Sequence, residues 1–129
     1  MASGNRNKTL PLFNQLEAPL LLVMDGHAMV HRAFRAISAQ SHLSVSATGE
    51  DTTGIYGFAN VFLRALQEWN PTYCAIAFDT PAPTFRHQRF EQYKAQRAPT
   101  PPDLLSQFPR VKQLMQAFEV PIFELDGYE

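Results

Sequence analysis

Three apolar runs punctuate the chain and each leads into an acid: Leu20-Leu21-Leu22-Val23-Met24 before Asp25, Tyr73-Cys74-Ala75-Ile76-Ala77-Phe78 before Asp79, and Val120-Pro121-Ile122-Phe123 before Glu124-Leu125-Asp126-Gly127-Tyr128-Glu129. Short continuous runs of this kind predict buried strands, and between them apolar residues recur at steps of three and four, which predicts helices. Met29, Val30, Ala33, Phe34 and Ile37 mark a short helix. Ile55, Phe58, Phe62, Ala65, Leu66 and Trp69 mark a longer one, which Thr52 or Thr53 can cap and Asn70-Pro71 ends. A third runs through Leu104, Leu105, Phe108, Val111, Leu114, Met115 and Phe118. Thr100-Pro101-Pro102-Asp103 resembles a capping box at its start, and Pro109 kinks or restarts it. The polar, aperiodic residues Ser38 to Asp51 read as a loop.

The order strand, helices, strand, helix, strand predicts parallel pairing through right-handed crossovers, and so an α/β three-layer domain. Parallel strands bring their carboxyl ends to one edge, where acids from separate strands can converge on a metal ion. A carboxylate after a strand is most often a turn residue or helix cap; three in one pattern favour a shared site. Magnesium suits such oxygen ligands, with manganese as the alternative. Zinc does not, because one cysteine and four scattered histidines offer no ligand pair at motif spacing. His27 and His31 share a helical face and read as surface or packing residues.

Length and composition narrow the picture further. With 129 residues, 45% of them hydrophobic, the chain can bury one core. Cys74, the single cysteine, has no disulfide partner in the chain and reads as a small buried hydrophobe. The Ala18 to Met24 stretch is too short to span a bilayer, and Met1 to Lys8 does not resemble a secretory leader. These features predict a soluble cytoplasmic protein with a loose tail over residues 1–19 and a domain from residue 20. The formal net charge of −1 leaves the partner open, so the distribution of charge must decide.

That distribution is uneven. Thr84 to Arg97 carries Arg86, Arg89, Lys94 and Arg97 against Glu91 alone, with Phe85, Phe90 and Tyr93 interleaved. Phosphates attract the cations and unstacked bases attract the rings, so the tract reads as a clasp for a single strand, not only as a solvated loop. If it is helical, Phe90, Tyr93 and Arg97 share one side with Lys94 beside them. Gly54 and Gly57, at the start of the longer helix, serve either close helix packing or the approach of a DNA phosphate. They lack the lysine that would make them a phosphate-binding P-loop.

The segments VMDGHAMVHRAF, TTGIYGFANVFLRAL, AFDTPAPTFRHQRFEQYKAQRAPTPPDL and GYE, in that order, closely resemble the N-terminal 5′-3′ exonuclease domain of bacterial DNA polymerase I. The resemblance covers the chain from about Leu10, whose Leu10-Pro11-Leu12-Phe13 run is similar to the start of some members. It implies a PIN-like fold related to flap endonucleases, with divalent metal ions at the strand-end acids. By motif it makes Asp25, Asp79 and Glu129 metal ligands, and Asp126 a turn residue. It makes Lys94 and Arg97 residues of an arch, about residues 83–103, that engages the scissile phosphate, with Tyr93 nearby and Arg86 a further contact. Gly54 and Gly57 then lie near the junction of single and double strand.

The family's next acids and its duplex-gripping element would follow Glu129, so the resemblance implies an N-terminal fragment, incomplete at its C-terminus. The implied activity is metal-dependent hydrolysis of DNA, or of an RNA primer, from a 5′ end or flap in replication and repair. A polymerase domain is implied in the same parent chain, and no oligomer is expected. The alternative is a catalytically incompetent fragment that binds nucleic acid weakly. A receiver-like phosphorylated domain shares the acids but has no use for the basic tract.

Overall fold

The computed structural model describes residues 19–129; the expected N-terminal tail, apart from Pro19, lies outside the described residues. The element order is β1 (Leu21–Asp25), α1 (Gly26–Ser38), α2 (Thr53–Trp69), β2 (Tyr73–Ala77), α3 (Phe85–Arg89), α4 (Pro102–Leu105), α5 (Phe108–Ala117) and β3 (Ile122–Phe123). The strands form one parallel sheet in the order β1-β2-β3, with Asp25 opposite Ala77 and Ala77 opposite Phe123. The α/β class and the parallel sheet agree with the sequence pattern.

Successive parallel strands added in one direction through right-handed crossovers send every helix to the same face. Leu22, Met24, Cys74, Ile76 and Ile122 therefore join one core with Val30, Phe34, Phe58, Phe62, Val111 and Met115. Alternation along the strands turns Leu21, Val23, Tyr73 and Phe123 to the other face, where each stays more than half exposed. The described residues thus supply two of the three expected layers. Cys74 is only half-buried, at the edge of the core. None of the described helices is long and apolar enough to cross a membrane.

Local signals were partly overridden. Asn70 ends α2 in the left-handed conformation, its N–H donating to the Leu66 carbonyl. At the other end neither threonine caps the helix: Thr53 Oγ1 accepts the Leu43 N–H instead. The cap comes from Gln107, whose Oε1 accepts the N–H groups of Gly54 (2.6 Å) and Ile55 (3.1 Å), while its Nε2 donates to the Asp103 carbonyl. Thr100 is not a cap either; α4 starts after Pro101 and lasts one turn. Pro109 falls in the first turn of α5, so it restarts the helix, where its missing N–H costs nothing.

Candidate metal and nucleic-acid site

At the carboxyl edge of the sheet, Asp25 both ends β1 and caps α1, its Oδ1 accepting the Ala28 N–H at 2.9 Å. Gly26 follows because the Phe78 ring occupies the space a side chain would need: a Cβ there would stand 2.4 Å from the ring. His27 comes next, and its Nδ1 accepts the backbone N–H of Asp79 at 3.1 Å. Its ring packs on Phe108 at 4.6 Å and edge-on to Phe78 at 5.8 Å. Burial holds the His27 pKa below its ordinary value, against the opposing pull of Asp79 and Asp25. Glu124 adds a weaker pull and is itself paired with Lys112, whose ammonium lies 5.3 Å over the Phe78 ring.

Glu129 sits elsewhere, in a cluster of its own. Arg86 Nη1 donates to its Oε1 at 2.8 Å, Tyr93 Oη donates to the same oxygen, and Lys94 Nζ donates to Oε2. Only 8% of the Glu129 side chain is exposed. Lys94 first, then Tyr93, holds its carboxyl at a pKa of about 2. The same segment is fastened to the basic tract by the Phe85 N–H, which donates to the Gly127 carbonyl at 3.0 Å, and by the Phe85 and Tyr128 rings, 5.8 Å apart. Lys94 adopts φ +57°, a left-handed conformation that costs a lysine about 1–2 kcal/mol. Its ammonium bonds Glu129 and lies 5.1 Å from the centroid of the Tyr93 ring.

In this structure Glu129 is engaged by Arg86, Tyr93 and Lys94 of the basic tract. Among the described residues, the group of three metal-capable side chains whose ligand atoms all lie within 4.8 Å of one another is His42, Asp51 and Asp103. His42 and Asp103 are exposed, Asp103 lies in the single turn of α4, and Asp51 accepts the Thr53 N–H. The basic tract is helical only over Phe85–Arg89 and continues as turns; Tyr93 and Lys94 both bond Glu129, and Arg97 is exposed. Its charge bears instead on His31 of α1, whose pKa is lowered by burial first and then by Arg35, His27 and Arg97.

Gly54 and Gly57 are buried and present no open backbone to a phosphate. Gln107 already holds the Gly54 N–H. A Cβ at Gly57 would meet Ile37 Cδ1 at 2.8 Å and the Ala33 carbonyl at 3.0 Å, so this glycine lets α1 and α2 pack. The spacing of His27 to His31 does not mark its contact with Asp79; its place directly after a strand-end Asp-Gly is the signal the sequence offers. Glu124 is the acid closest to the end of β3. Nothing local marks Gln107.

Residues 20–129 match the family described as the 5′-3′ exonuclease, N-terminal resolvase-like domain. The chain is 48% identical over 111 residues to DNA polymerase I of Chloroflexus aurantiacus, an alignment covering 86% of this chain and 12% of the relative. To DNA polymerase I of Geobacillus stearothermophilus it is 39% identical over 109 residues, 84% of this chain and 12% of the relative. To the thermostable DNA polymerase I of Thermus filiformis it is 40% identical over 120 residues, 92% of this chain and 14% of the relative. The chain thus spans about an eighth of the length of these relatives. A parallel sheet with acids at its carboxyl edge, a basic tract after the second strand and a match over nearly the whole chain agree: the protein belongs to the 5′-3′ exonuclease N-terminal, resolvase-like domain family.

Proposed function

We propose that this chain forms part of a metal-dependent 5′-nuclease that hydrolyses phosphodiesters at the 5′ end or flap of DNA, and in RNA primers, within a cytoplasmic, monomeric DNA polymerase I. The observation that carries this reading is the pairing of strand-end carboxylates with a separate cationic pocket. Asp25 commits one oxygen to the α1 cap and keeps the other, and Asp79 stands across His27 from it. Oxygen donors of this kind fit a hard divalent cation such as magnesium, or manganese. A bound metal supplies activation of water and stabilisation of the leaving oxygen.

Arg86, Tyr93 and Lys94 already grip a carboxylate, and a phosphate oxygen offers them the same charge and acceptor geometry. In this reading the DNA phosphate displaces Glu129 from the pocket and frees it to join Asp25 and Asp79. Arg97 adds an exposed charge for the backbone. The test is cleavage of a 5′-flap duplex in magnesium by the full parent chain: Asp79→Asn is expected to lose about 100-fold or more in rate. Activity equal to wild type would remove Asp79 from the mechanism.

A second reading has its own support. Glu129 is engaged away from Asp25 and Asp79, which favours a module that binds a strand without cutting it. Salt-sensitive binding by the 129-residue chain that persists in EDTA, with no cleavage in magnesium, is its expected signature.

A further inference from the structure

We infer that His27 is a positioning residue that sets the spacing between Asp25 and Asp79, an inference that rests on reading those two acids as metal ligands. The β1–β2 ladder ends at the pair Asp25 and Ala77, two residues short of Asp79. Beyond that point the Asp79 N–H has left the sheet, and its partner is His27 Nδ1 at 3.1 Å. One side chain therefore ties the backbone of Asp79 to the first turn of the helix that Asp25 caps.

The brace has little slack. Asp25 is held by the Ala28 N–H, and Gly26 lies against the Phe78 ring with no room for a methyl group. The imidazole is fixed by Phe108 at 4.6 Å and Phe78 at 5.8 Å, so its Nδ1 is aimed, not merely near. Accepting an N–H requires that Nδ1 carry no proton and that any ring hydrogen sit on Nε2. Partners that orient the residues of a metal site typically matter to its affinity about 10–100-fold, even though they never touch the metal.

Two substitutions separate positioning from packing. His27→Phe keeps a ring between Phe108 and Phe78 but has no acceptor. His27→Asn places its Oδ1 close to the former Nδ1, two bonds from Cβ, and forfeits the ring contacts. Titration of the full parent chain with Mn2+ alone, followed by calorimetry, is expected to show, at the site that Asp25→Asn and Asp79→Asn abolish, about tenfold weaker binding for His27→Phe and near wild-type binding for His27→Asn. Thermal stability is expected to run in the opposite order, which a purely structural role would not produce.

Wild-type affinity in folded His27→Phe, with affinity lost in Asp25→Asn and Asp79→Asn, overturns the inference and leaves the metal reading standing. Mn2+ binding that is absent from the wild type, or indifferent to both aspartates, overturns the metal reading and the positioning role with it. In the wild-type chain, independent of any variant's folding, a scalar coupling between the Asp79 amide nitrogen and His27 Nδ1 is expected across the hydrogen bond. Its absence at neutral pH overturns the brace itself.

Discussion

Replacing Gln107 with alanine removes the cap of α2 from a distance of 52 residues in sequence, counted to Ile55. The side chain is 1% exposed, and its Oε1 serves two helix N–H groups at once. Loss of a helix cap costs about 1 kcal/mol. The buried Gly54 N–H would then have no partner, which adds about 1–3 kcal/mol, whereas the partly buried Ile55 N–H can turn to water. The expected loss is about 2–4 kcal/mol, a large fraction of the stability of a small domain. For a chain of this size about 3 kcal/mol lowers Tm by about 10 °C.

Urea unfolding followed by circular dichroism measures it, with an unchanged dependence on denaturant as the sign that the end states are the same. Gln107→Glu is the informative companion. It keeps an acceptor at the positive end of α2 but loses the donor to the Asp103 carbonyl, so it is expected to recover only part of the loss. A loss below about 0.5 kcal/mol for alanine, within the range of ordinary surface substitutions, would refute the reasoning.

The other predictions concern helix packing and the clamp around Glu129. Gly57→Ala adds helix propensity worth about 1 kcal/mol but forces α2 away from Ala33 and Ile37, so a net loss of about 1–2 kcal/mol is expected in the same urea assay; stabilisation would show that the helices can part freely. The Glu129 carboxyl, with a pKa of about 2 in place of 4.5, contributes stability that is fully present above its ordinary pKa and lost as pH falls through about 2. A carbon-detected NMR titration of Glu129 should therefore show a depressed midpoint, returning toward 4.5 when Lys94 is replaced by alanine. A normal midpoint in the wild type would show that Lys94, Tyr93 and Arg86 do not hold it.

Hydrophobic period was enough to read the parallel α/β class, the strand positions and the location of Asp25 and Asp79 at or just past the ends of β1 and β2, because each depends on residues adjacent in sequence. Here the apolar runs that end in Asp25-Gly26 and Asp79-Thr80 are strands leaving the sheet. The basic tract was legible as a cation-rich segment for the same reason, but its shape was not. Pro81 and Pro83 precede the helix, but nothing within the tract marks the partner of Lys94, which is Glu129, 35 residues away.

What the sequence by itself determined, then, is which chemistry is present and on which edge of the sheet it emerges. Only the tertiary structure decided who partners whom: Glu129 with the tract instead of the strand-end acids, Gln107 with α2 instead of either threonine, and His27 with Asp79. The reason is physical. Periodicity records contacts within an element, whereas hydrogen-bond partners are chosen by geometry and by the cost of leaving a buried polar group unpaired, and that choice is made across the fold.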